Sequence, residues 1–335
     1  MDSRPLKEKR APFMHHRRLG RTGVDVSEVG FGAWGIGKGW WGETDDRLSV
    51  KALVRALELG ATFIDTAYAY GNGHSERLIA RAFRQTGHRV FVATKVPLKG
   101  TDWPPKPGTS AGQAFPAERI IMHTEQSLRN LETERLDLQQ LHIWRDEWIE
   151  EMEWQDAVQK LKQQGKIRFF GVSVIDHQPE TALRIVRSGL IDTVQVIYNI
   201  FDQSPVETLF PLCRQHNVGV IARVPFDEGG LTGSLTPQAS FPKGSFQGSY
   251  FRGDRLRETC ERVDRLRPLL RNGISSVAEL ALKFCLSHAA VSTVIPGMRR
   301  PEHAEANCAA SDGKPLSADL LATLGAHTWV RNFYQ

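Results

Sequence analysis

The chain has 335 residues, 43 Lys and Arg against 38 Asp and Glu, a net charge of +5 and 41% hydrophobic residues. That balance suits one large or two medium globular domains with a core large enough to stand without disulfides. It excludes a disulfide-rich scaffold: four cysteines, Cys213, Cys260, Cys285 and Cys308, lie far apart with no CxxC pair, so reduced thiols and no metal site are expected.

The first residues, "MDSRPLKEKRAPFMHH", are charged and lack an apolar signal core. They are expected to form a flexible tail over residues 1–15, with Met14 an alternative start, ahead of a single domain over 16–335. No apolar run approaches the ~18 residues of a membrane span. A cytoplasmic protein with no membrane partner is therefore expected. A nucleic-acid partner is not expected either, because the most basic stretch, "RGDRLRETCERVDRLRPLLR", interleaves acids at helical spacing and reads as a solvated helix face.

The segment "RRLGRTGVDVSEV" predicts a small hairpin turning at Thr22–Gly23. Eight apolar runs follow: "VGFGAW", "TFIDTA", "RVFVATKV", "LDLQQLHI", "IRFFGVSV", "TVQVIYNI", "VGVIARVPF" and "STVIPG". Amphipathic segments such as "DDRLSVKALVRALELG", "AERIIMHTEQSLRNLETE" and "VETLFPLCRQHN" separate them. Continuous rather than alternating apolar runs indicate parallel strands covered on both faces. Eight strand–helix units predict an α/β fold, a (β/α)8 TIM barrel. Long loops after the third and seventh runs are placed over its C-terminal face, where barrel enzymes work.

A Rossmann fold competes, because "GFGAWG" (Gly30, Gly32, Gly35) satisfies G-x-G-x-x-G. That fingerprint needs its helix to start on the glycine turn, yet "IGKGWWGET" intervenes before a helix begins near Asp45. The next acid, Asp65, also stands about thirty positions on rather than about 20.

In a barrel, polar residues at strand C-termini point into one mouth. Asp65 ends the second strand, with Tyr70 in the following loop; Lys95 ends the third and His142 the fourth. A phenol is a weak acid at neutral pH, and a neighbouring ammonium is expected to lower its pKa. Asp65 would hold Lys95 charged, while His142 orients a substrate carbonyl. The set fits carbonyl reduction, the phenol donating a proton as hydride arrives. A Schiff base at Lys95 is the alternative. Near the C-terminus, "IPGMRRPEHAEAN" sets Arg299 and Arg300 before a helix starting at Pro301, a ready anion site.

The segments "FIDTAYAYGNGHSE", "VATKV", "SLRNLETERLDLQQLHIW", "GKIRFFGVS" and "VIPGMRRPEHAEAN" together resemble the aldo/keto reductase superfamily, from about Arg17 to Asn307. The resemblance implies an NADPH-dependent oxidoreductase that interconverts carbonyls and alcohols. Its tetrad falls on Asp65, Tyr70, Lys95 and His142, and Tyr68 is not a member. It implies cofactor contacts at Gly32, Ala33, Trp34 and Asp65, and carboxamide contacts at Ser173 and Gln195. Val224, Pro225, Phe226, Gly229 and Gly233 would follow the pyrophosphate, and Gly297, Arg299, Arg300, His303 and Asn307 the adenosine end, with NADPH preferred over NADH. Two positions depart from the pattern: Val174 stands where an asparagine is common, and Arg223 where an aromatic often stacks on nicotinamide. Trp34, Trp103 and Trp144 are expected to line a pocket for an apolar or ring-shaped carbonyl compound, with Trp40, Trp41, Phe226 and the terminal "WVRNFYQ" nearby. Some members of that superfamily are cofactor-holding regulatory subunits with slow turnover, which gives a second functional reading.

Overall fold

The computed structural model describes residues 14–39, 41–42, 44–100 and 102–332. The expected tail over residues 1–13, Trp40 and Phe333–Gln335 lie outside them. Met14 and His15 do not behave as a tail: Met14 is buried beside Gly60, and the His15 amide donates to Ser311 Oγ at 2.9 Å.

Strands β1 (His16–Arg18) and β2 (Asp25–Ser27) form the antiparallel hairpin. Gly23 makes its turn in the left-handed region, at φ 71°. Every apolar run then becomes a parallel strand: β3 (Phe31–Gly32), β4 (Phe63–Asp65), β5 (Phe91–Val96), β6 (Leu136–Trp144), β7 (Ile167–Val174), β8 (Thr193–Ile197), β9 (Gly219–Arg223) and β10 (Val291–Val294). Parallel bridges Val29–Val294 and Gly32–Gly297 join the first barrel strand to the last, so the ring closes. No sheet edge is left open between them. Helices begin where the sequence signals them. Asp45 caps Asp46–Glu58, accepting from the Arg47 and Leu48 amides, and Pro301 opens Pro301–Cys308.

Side chains alternate along a strand, and that alternation positions the site. Leu19 and Val26 of the hairpin pack with Phe63, Phe91, Ala93, Leu138, Ile221 and Ile295, in a cluster separate from the main core. These strand residues point into the barrel, whose N-terminal end the hairpin plugs. Two steps further along the same faces come Asp65 after Phe63, Lys95 after Ala93, and Arg223 after Ile221. The neighbours that alternate with them, Ile64, Val92, Val96 and Ala222, join the main core between sheet and helices. The barrel interior thus changes from apolar at the bottom to ionisable at the top.

Strand β6 breaks this regularity. Its register with β7 shifts between Leu141 and Trp144, and Trp144 pairs with the core residue Val174. The bulge turns Trp144 outward. Its ring has no exposed surface and meets Trp148 and Trp154 edge-on at 5.8 and 5.2 Å. The expectation that Trp144 lines the pocket is corrected: it belongs to the core beneath the helices. No helix among the described residues is long and apolar enough to cross a membrane, and the four cysteines are free and buried.

Candidate active site

Lys95 is the centre of the mouth. Only 1% exposed, it donates from Nζ to Asp65 Oδ1 at 2.7 Å, to the Thr66 carbonyl at 2.8 Å and to Tyr70 OH at 3.3 Å. The three donors of an ammonium are therefore matched by three acceptors. Tyr70 meets His142 edge-on at 5.7 Å and lies nearly parallel to Trp34 at 6.2 Å. Its loop reaches this position because Gly37 and Gly71 lack side chains. A Cβ on Gly37 would stand 2.7 Å from Tyr70 Cβ, and one on Gly71, at φ 70°, would collide with the Gly37 carbonyl. Tyr68 lies elsewhere, its ring 4.5 Å from that of His123.

Electrostatics correct one expectation. Burial pushes the Tyr70 phenol well above its ordinary value, and the Asp65 carboxylate pushes it further; Arg223 opposes both. The Lys95 ammonium, 3.3 Å from the hydroxyl, does not outweigh them. Burial also lowers the Lys95 ammonium, with Asp65 acting against it. His142 is held well below its usual range by burial first, then by the Lys95 and Arg223 charges. At neutral pH the phenol keeps its proton and the imidazole is neutral.

Around this centre stand further groups, of which the sequence reading did not single out Asp176, Phe246, Asp227, Tyr250 and Arg255. Asp176, three positions past Ser173, accepts from Trp103 Nε1 at 3.1 Å and from the Arg223 guanidinium, which also donates to the Val174 carbonyl at 3.0 Å. Trp103, in the loop after β5, meets His142 edge-on at 5.4 Å. Trp34, Trp41 and Phe246 form an aromatic wall, with Trp34 ring separations of 5.2 and 4.9 Å. Trp329 is tied to the loop after β8, its amide donating to the Phe201 carbonyl at 2.7 Å. Asp227, Tyr250 and Arg255 form a buried polar cluster in the long loop after β9 and at the helix that follows it; Tyr250 OH donates to Asp227 Oδ1 at 2.6 Å. An acid at a strand end, as with Asp65, was the signal available for Asp176. The cluster's members are too far apart in sequence to announce each other.

Several features fit a dinucleotide. Ser173 and Gln195 are register partners on β7 and β8. Gln195 is fully buried, and neither atom of its amide has a partner among the described residues. A carboxamide ligand would satisfy both. Beyond β9, Val224, Asp227, Glu228 and Gly229 all have positive φ, at 56°, 45°, 56° and 108°. For a β-branched valine that is a strained conformation. Such runs turn backbone N–H groups into anion-binding concavities. Pro225 is buried and Phe226 half-buried within the run, and Gly233 closes it at φ 75°. Gly32 and Ala33 are pinned by their amides to Pro296 and Asp65 carbonyls. Arg299 lies against Gly35, where a Cβ would come within 3.1 Å of its side chain. Arg300 is exposed at the start of Pro301–Cys308, a helix that no side chain caps. His303 Nδ1 accepts from the Arg299 amide at 3.3 Å, and Asn307 Nδ2 donates to the Gly297 carbonyl at 3.3 Å.

Glu228 gives a test independent of any ligand. Burial, and then the Asp227 charge, push its carboxyl up to about 8 from 4.5. The folded state keeps a proton that the unfolded chain releases. Stability from this group is present below pH 4.5, declines as pH rises and is gone above about 8. Relative to Glu228→Gln, the wild-type melting temperature should therefore fall progressively between pH 5 and 8. Parallel curves would contradict the assignment.

A family model described as "Aldo/keto reductase family" matches residues 28–328. The aldo-keto reductase YhdN of Bacillus subtilis is 32% identical over 298 residues, 88% of this chain and 87% of that protein. The NADH-specific methylglyoxal reductase of Escherichia coli is 26% identical over 312 residues, 90% of this chain and 94% of that one. The crystal structure of an aldo-keto reductase from Klebsiella pneumoniae in complex with NADPH superposes with a TM-score of 0.68 at 27% identity, covering 96% of this chain and 98% of that one. The chain belongs to the aldo/keto reductase family, a family of oxidoreductases.

Proposed function

We propose that this protein reversibly reduces an aldehyde or ketone to an alcohol with NADPH, Tyr70 acting as the general acid. The observation that supports this most is the chain of contacts from Asp65 through Lys95 to the Tyr70 hydroxyl, beside a neutral His142. A nicotinamide held at Ser173 and Gln195 would supply the hydride. Tyr70 holds a proton at its hydroxyl and delivers it to the oxygen that becomes an alkoxide. Lys95, 3.3 Å behind, stabilises the phenolate left after transfer, and Asp65 balances that ammonium. His142 hydrogen-bonds to the carbonyl oxygen and orients it toward Tyr70. Trp34, Trp41 and Trp103 exclude water. A Schiff base would need a free amine, whereas the Lys95 donors already have three acceptors; borohydride with the substrate should leave Lys95 unmodified.

Both titrating groups are displaced away from neutrality, Tyr70 upward and His142 downward. The kcat for reduction should show no histidine step between about pH 6 and 8, falling only on the alkaline side, where the lowered Lys95 ammonium loses its proton before the phenol does. A bell centred near the ordinary histidine value would contradict this.

The adenosine end of the cofactor is proposed to lie at Arg299 and Arg300, with His303 and Asn307 beside the adenine and Gly297 beneath. A 2′-phosphate between two guanidiniums gains charge-assisted hydrogen bonds that NADH cannot make. Replacing both by alanine should raise KM for NADPH at least about tenfold, while KM for NADH changes less than about threefold. Equal shifts for both cofactors would overturn this. The relative that is NADH-specific makes the comparison informative, since the family name alone does not fix the preference.

A further inference from the structure

Arg223 acts on all three proton-handling groups, although Asp65 outweighs it at Tyr70 and Lys95, and Lys95 outweighs it at His142. It lowers the Tyr70, Lys95 and His142 proton affinities alike. An unbalanced guanidinium there would attract anionic substrates and repel cations. It is not unbalanced. Asp176, 5% exposed, commits one carboxylate oxygen to Arg223 and the other to the Trp103 indole. The pair is largely enclosed, with side chains 17% and 6% exposed. Asp176 acts on His142 with the opposite sign to Arg223.

We propose that Asp176 is a specificity-determining positioning residue: by clamping Arg223 and Trp103 together it neutralises the mouth, so that the site selects uncharged carbonyl compounds over carboxylate-bearing ones. This rests on the carbonyl-reductase reading and names the substrate class of that same site. One oxygen removes a net charge beside the reacting carbonyl, and the other holds the Trp103 ring against His142. In this partly buried setting an uncompensated charge a few ångströms from a substrate carboxylate acts strongly. A charge of either sign should thus appear directly in substrate choice.

The experiment compares kcat/KM for 4-carboxybenzaldehyde with that for 4-nitrobenzaldehyde, at pH 7 with NADPH. In Asp176→Asn the ratio of the anionic to the neutral substrate should rise at least about tenfold, mainly through KM. In Arg223→Gln, which leaves Asp176 alone, the ratio should fall at least about tenfold. The double variant Asp176→Asn/Arg223→Gln should return to within about threefold of wild type. A structural role moves both substrates together in every variant, and an unchanged ratio in both single variants would overturn the proposal. Binding of 4-methylbenzoate, followed by tryptophan fluorescence, provides a readout without turnover. It should tighten in Asp176→Asn and weaken in Arg223→Gln, and equal affinity across the variants counts against the clamp. If Asp176→Asn does not fold, Arg223→Gln and the double variant still decide the sign. Wild-type protein that turns over neither aldehyde refutes the underlying reductase reading, whereas normal wild-type turnover with invariant ratios refutes the clamp alone.

Discussion

Tyr70→Phe should lower kcat for carbonyl reduction by about 10³-fold and leave NADPH affinity within about twofold. The substitution removes one oxygen. It leaves the ring that lies parallel to Trp34 and edge-on to His142, so the loop keeps its packing. What disappears is the proton at the hydroxyl beside Lys95. A neutral, half-buried His142 is a poor substitute acid, because its imidazole is held well below its usual range. Loss of kcat with unchanged cofactor binding identifies an interaction made in the transition state. The check is steady-state kinetics on 4-nitrobenzaldehyde beside a fluorescence titration with NADPH. A loss below about fivefold would move the proton donor to another residue.

Breaking the Asp65–Lys95 pair has the largest expected effect on stability. Both side chains are almost wholly buried, at 4% and 1% exposure, and joined at 2.7 Å. Removing one partner leaves the other charge in a medium that solvates it poorly, typically a loss of ~3–5 kcal/mol. Asp65→Asn and Lys95→Met should each lose about 3 kcal/mol in urea denaturation at pH 7. The double variant should lose less than the sum by at least about 1.5 kcal/mol, since the second substitution removes an already orphaned charge. All three should also lose most turnover, because the phenol's charged neighbour has gone. Single variants within about 0.5 kcal/mol of wild type would mean that water reaches the pair.

The fold was largely legible in the sequence because its signals are local. Each apolar run is long enough to mark a buried parallel strand, and Asp45 and Pro301 announce their helices. The tetrad candidates were legible for a related reason. Strand alternation carries an inward apolar residue such as Phe63 to an inward ionisable one such as Asp65 within two positions. Trp144 was expected among the rim aromatics, and alternation from His142 would agree, but a register shift intervenes and nothing in "LHIW" signals a bulge.

The direction of the Tyr70 pKa was also beyond sequence reasoning. Sequence names a cation nearby, but the balance between its field and the cost of burial depends on enclosure, which here wins. Asp176 escaped notice because its role needs Trp103 and Arg223, brought from the loop after β5 and the end of β9. Asp227, Tyr250 and Arg255 are joined only by the path of a long loop, which carries no periodic signal.

The most direct test follows a hydrogen atom. NADPH deuterated at the transferring C4 position is incubated with 4-nitrobenzaldehyde and the wild-type protein, and the alcohol is examined by mass spectrometry. Deuterium on the benzylic carbon, in one-to-one yield with NADPH consumed and suppressed in Tyr70→Phe, is the predicted result. Cofactor that binds tightly yet leaves the aldehyde unreduced, or label transfer unaffected by Tyr70→Phe, would contradict it.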